Sequence, residues 1–130
     1  MKKLNNISIL AQLMKEANGL GYSVQFIQSD SVVDWEDYSG YCNYIDKKIR
    51  ISSRLFRKKR PKLQMAFILA HEIRHAIHFT KGLYKEVYDL GIDSGYAAEY
   101  LIEADCDRWA TNRLKKLGVQ CDFKQLMSIL

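Results

Sequence analysis

The stretch Leu63-Gln64-Met65-Ala66-Phe67-Ile68-Leu69-Ala70-His71-Glu72-Ile73-Arg74-His75-Ala76-Ile77-His78-Phe79 decides how this chain is read. Its apolar residues recur at three- and four-residue steps, the period of a helix with a buried face. Pro61 falls in what would be the first turn, where its missing N–H costs nothing. Thr80-Lys81-Gly82 closes the run with a basic residue and a glycine. Inside lies the pattern H-E-x-x-H, formed by His71, Glu72 and His75. Four residues turn a helix by about 400° and advance it about 6 Å, so the two imidazoles project side by side and can converge on one ion. Imidazole nitrogen suits zinc at about 2.0 to 2.1 Å, and a catalytic site of that metal keeps one position open for water. Glu72, one residue round from His71, is placed to take a proton from that water without ligating the metal.

Upstream, Ile7, Leu10, Ala11, Met14 and Ala17 mark a helix over Leu4 to Asn18, ended by Gly19 and Gly21. Tyr22 to Gln28 alternates as a half-buried strand. Gly40 to Ile45 and Lys48 to Ser52 form a hairpin around Asp46-Lys47, and Val32, Val33 and Trp35 form a short strand or anchor a loop. Downstream, Leu83 to Ser94 reads as a loop with one helical turn. A long helix follows from about Tyr96 to Leu117, capped by Asp93 or Ser94 and stopped by Gly118, and Gln120 to Leu130 makes a short final helix.

At 130 residues the chain holds one core, hence one domain over 1–130. With 48% hydrophobic and 27% charged residues it is neither a disordered nor a fibrous chain. No apolar run approaches the roughly 20 residues that cross a bilayer, so no transmembrane helix is expected, and the N-terminus lacks a continuous apolar leader, so secretion is not expected. Cys42, Cys106 and Cys121 are odd in number and unrelated in spacing, which points to a reducing, cytoplasmic compartment. Cys106 and Cys121 read as small buried residues. The net charge of +5 is local: without Arg54, Arg57, Lys58, Lys59, Arg60 and Lys62, 14 basic residues face 15 acidic ones. That connector is either a solvated turn or a dock for an acidic partner or for DNA.

A metal site needs a third ligand. His78 shares the stripe of His71, but the helix carries it a further turn along the axis, so packing or a hydrogen bond is its expected role. The long helix offers Glu99, Glu103, Asp105 and Asp107. Glu103 and Asp107, spaced i, i+4, share a face with Glu99; one such carboxylate can bind metal while another holds a ligand histidine by its free N–H.

The strand Lys48 to Ser52, the basic connector and Met65 to Ala76 together resemble the strand-to-helix core of the ImmA/IrrE family of zinc metallopeptidases. Glu103-Ala104-Asp105-Cys106-Asp107-Arg108-Trp109-Ala110 is similar to the E-x-x-A-D-x-F-A segment of gluzincins, with Cys106 for alanine and Trp109 for phenylalanine. The resemblance spans roughly residues 40 to 115. It implies His71, His75 and Glu103 as zinc ligands, Glu72 as catalytic base and Asp107 as the carboxylate behind a ligand histidine. It also implies a stand-alone domain of the kind found on phages and other mobile elements, acting on a protein substrate such as a DNA-bound repressor. Arg74 stands where the family commonly has glycine, which sets a cation beside the second histidine. Tyr84, Tyr88, Tyr96, Tyr100 and His78 are the candidate donors to a developing oxyanion.

The expectation is an α+β fold, a minimal zincin-like domain in which a small antiparallel sheet of about three strands packs on the H-E-x-x-H helix and a second long helix. The expected function is a zinc-dependent metallo-endopeptidase. The alternatives are a catalytically silent zincin, or a nucleic-acid-binding module with a structural metal and the basic patch at 54–62.

Overall fold

Asn5 opens the first helix: its side-chain oxygen accepts the backbone N–H of Ser8 at 2.8 Å, satisfying one of the donors a helix start leaves bare. The computed structural model describes residues 5–27, 40–52, 61–90 and 96–124. Its elements are α1 (Asn6–Gly19), β1 (Ser23–Ile27), β2 (Gly40–Asn43), β3 (Lys48–Ser52), α2 (Pro61–Lys81), α3 (Lys85–Leu90) and α4 (Tyr96–Lys116). This is an α+β domain with one small three-stranded sheet. The expected segment at Val32 to Trp35, the caps Asp93 and Ser94, and Arg54, Arg57, Lys58, Lys59 and Arg60 lie outside the described residues; Lys62 is exposed on α2. Of the final helix expected over Gln120 to Leu130, residues 120–124 are described: Gln120, Cys121 and Asp122 are not helical, and Phe123 and Lys124 are.

β2 and β3 form the expected antiparallel hairpin, with the Asn43 side chain accepting the N–H groups of Ile45 and Asp46 in the turn. β1, however, pairs with β3 in parallel, giving the order β1-β3-β2. The sheet is therefore mixed, a correction to the antiparallel one expected. Alternation identifies a strand's two faces but carries no information on direction. Here the hairpin occupies one edge of β3, and β1 takes the other, reached through a connection long enough to bring β3 back in the same sense.

α2 is the centre of the molecule. From Leu63 to Ile73 every residue but Ile68 is buried, more than a single amphipathic stripe allows, because α1, the sheet and α4 pack around it. Ile9, Leu13 and Ala17 of α1, Ile49 and Ile51 of β3, and Ala110 and Leu114 of α4 complete one core. Gly40 permits the sheet to approach so closely: a Cβ there would collide with the γ-methyl of Ile68. Both long helices end on a glycine with positive φ, Gly82 at 68° and Gly118 at 92°. In each case the next N–H returns to a last-turn carbonyl, Leu83 to His78 at 2.9 Å and Val119 to Leu114 at 3.0 Å.

Candidate metal centre

The central helix drives polar groups into the core, and they cluster against α4. His71 and His75, one turn apart on α2, have ring centroids 5.0 Å apart. Both direct Nε2 at one carboxylate of the facing helix: Glu103 Oε2 lies 2.7 Å from His71, and Oε1 lies 3.2 Å from His75. Glu72 sits beside them, buried, with Oε2 3.9 Å from His71 Nε2, beyond hydrogen-bond reach. On the far side of His71, Nδ1 donates to Asp107 Oδ1 at 2.7 Å. The five residues His71, Glu72, His75, Glu103 and Asp107 are thus brought together.

Electrostatics follow from this packing. Burial would lower the pKa of His71, but hydrogen bonds to Asp107 and Glu103 outweigh it and push it up to about 10. Burial works against ionised Glu103 too, yet the two imidazoles hold its carboxyl well below the usual range. Glu72 is raised by burial, with His75 and His71 pulling the other way. Its carboxylate is therefore more basic than one in water.

Other acids and cations of the two helices are placed differently. Glu99 is exposed. Asp105 accepts from Arg74 Nε at 2.8 Å and pairs with His78 Nε2 at 2.7 Å. Arg74 is therefore tied back to α4. His78 is fully buried and makes hydrogen bonds at both nitrogens, its Nδ1 2.7 Å from the Tyr88 hydroxyl. That hydroxyl also lies 2.9 Å from His75 Nδ1, so α3, expected only as one turn in a loop, delivers a partner to a site histidine. Burial raises the phenol far above its ordinary value, keeping it protonated. Tyr84 packs edge-on to His78, Tyr100 is exposed, and the Tyr96 side chain lies outside the described residues.

Sequence reasoning missed one residue. Cys106, fully buried, joins His71 and His75 in a group whose ligand atoms all lie within 4.8 Å of one another, so these three can hold a metal ion. Its place on α4, three residues from Glu103 and one from Asp107, was the available signal. Burial, then the carboxylates of Glu103 and Glu72, push its thiol up. The donor chemistry fits a divalent ion: imidazole nitrogens, a carboxylate and a sulfur within reach, with the second nitrogen of each imidazole already held. No family model matches the chain, nor does any curated protein or solved structure. Among the described residues no helix is long and apolar enough to cross a membrane.

Proposed function

We propose that the chain is a zinc-dependent metallo-endopeptidase of the cytoplasm, with His71, His75 and Glu103 as metal ligands. One observation carries the reading: two Nε2 atoms from one helix and a carboxylate from another point at a common position, beside a buried acid that no hydrogen bond ties to them. The three free cysteines are in keeping with a reducing compartment. When bound, zinc supplies Lewis acidity toward water and toward a carbonyl. Glu72 takes the proton of the attacking water and returns it to the leaving amine. Asp107 keeps the His71 ring turned so that Nε2 faces the site.

The substrate is proposed to be a protein, on the resemblance a DNA-bound repressor of a phage or other mobile element. The basic stretch with Lys62 would assist docking by charge. Cys106 favours a second reading, in which sulfur closes the coordination and leaves a silent zincin or a nucleic-acid-binding module with a structural metal.

The test is metal analysis of wild type beside His75→Ala, joined to cleavage by Glu72→Gln. Near one zinc per chain, falling to near zero in His75→Ala, is expected. Glu72→Gln is expected to retain zinc while new protein N-termini cease to appear in a host lysate. Metal-free wild type, or cleavage undiminished by Glu72→Gln, overturns the proposal.

A further inference from the structure

Four side chains from three elements form an unbranched chain of contacts leading away from the metal position. It runs from His75 Nδ1 to the Tyr88 hydroxyl at 2.9 Å, on to His78 Nδ1 at 2.7 Å, and from His78 Nε2 to Asp105 Oδ2 at 2.7 Å. Hydrogen positions along it can be assigned from donor and acceptor capacity. Asp105 takes the Nε–H of Arg74 and is an acceptor only, so His78 places its proton on Nε2. His78 Nδ1 is then a bare acceptor and receives the Tyr88 hydroxyl hydrogen. The phenolic oxygen, its hydrogen committed, accepts from His75 Nδ1. Full burial of His78 disfavours a second proton there, which would turn the Tyr88 hydrogen to His75 Nδ1 instead. His75 Nε2 is left with a lone pair, aimed at the position Glu103 also faces.

We propose that Asp105, His78 and Tyr88 form a one-way hydrogen-bond chain that sets the His75 tautomer, making all three positioning residues for the metal. The inference rests on the metal-site reading above. α4 then orients both histidines, Asp107 holding His71 directly and Asp105 holding His75 through two intervening side chains. None of Asp105, His78 and Tyr88 is itself placed as a ligand. His78 in particular is fully buried, a location in which two satisfied nitrogens are worth more than at a surface.

The chain has a direction, and direction is testable. Arg74 Nε and His78 Nε2 share the single oxygen Oδ2 of Asp105, so Asp105→Ala removes the acceptor of both and leaves His78 Nε2 beside the freed Nε–H of Arg74. This moves the His78 proton to Nδ1, where it opposes the Nδ1–H that a metal-bound His75 must carry. Histidine nitrogen NMR on the metal-free and zinc-loaded protein reads the tautomers, and competition with a chromophoric chelator reads the zinc Kd. Wild-type His78 is expected as the Nε2–H form, shifting to Nδ1–H in Asp105→Ala. Zinc should bind about 10- to 100-fold more weakly in Asp105→Ala and in Tyr88→Phe. With Tyr88→Phe already present, the added Asp105→Ala should cost little, because the link is cut. Nδ1–H on wild-type His78, unaltered zinc affinity in Tyr88→Phe, or losses that simply add in the double variant would each overturn the proposal. Failure of wild type to bind zinc would sink the metallopeptidase reading instead, while the His78 tautomer would still decide the direction of the chain.

Discussion

Glu103 and Cys106 are rival third ligands, and substituting each in turn separates an open hydrolytic site from a closed structural one. In tetrahedral geometry, donors about 2.0 to 2.1 Å from zinc stand about 3.4 Å from one another. The Glu103 oxygen already 3.2 Å from His75 Nε2 meets this, and the one 2.7 Å from His71 must retreat by a little over half an ångström. A side chain that is 50% exposed can make that movement without disturbing the core. Cys106 lies fully buried and must shed a proton that burial and neighbouring carboxylates hold in place. Four-donor zinc sites bind with about 10 to 16 kcal/mol, or roughly 3 kcal/mol per donor, equivalent to about a hundredfold in Kd. Glu103→Gln should therefore weaken zinc about a hundredfold by chelator competition, and Cys106→Ser less than about threefold. The cobalt-substituted wild type should show no thiolate charge-transfer band. The larger loss in Cys106→Ser, or a clear sulfur-to-cobalt band, would refute the reasoning and favour the closed site.

Three further outcomes are expected. Zinc at a thousandfold above its Kd should stabilise the fold by about 4 kcal/mol, raising the melting temperature by about 10 to 20 °C, with reversal by chelator; an unchanged melt would speak against a site formed only in the folded chain. Gly40→Ala should cost about 1 to 3 kcal/mol in a denaturant titration, because the added methyl meets a γ-methyl held by a β-branched side chain, and Ile68→Ala should recover part of that loss. Gln64 is fully buried with neither amide atom partnered among the described residues, so Gln64→Met should stabilise by about 1 kcal/mol or more; a destabilised variant would mean the amide is satisfied.

Local periodicity was enough for much of the architecture. The H-E-x-x-H helix, its proline start and glycine stop, the hairpin around Asp46-Lys47 and the long helix from Tyr96 each appear near the expected boundaries, because each is set by contacts between residues a few positions apart. Glu72 beside paired imidazoles was legible for the same reason: three residues on one helix have their relative geometry fixed by 3.6 residues per turn.

What chain-local patterns could not carry was any relation between distant elements. The parallel pairing of β1 with β3 depended on which strand edge the hairpin left open. Selecting Glu103 and Asp107 over Glu99 depended, before any resemblance, on how α4 is placed against α2, since the face these three share does not say which of them meets the histidines. That placement turns Glu103 and Asp107 to His71, turns Asp105 to Arg74 and His78, and brings Cys106 within reach of the same position. Tyr88 arrives from a third element whose sequence has no period. The sequence alone thus determined the two histidines and their acid, a constellation internal to one helix. Tertiary packing decided the remaining donors and their supports, because only the docking of α4 along α2, and of Tyr88 from α3 against its histidines, brings them there.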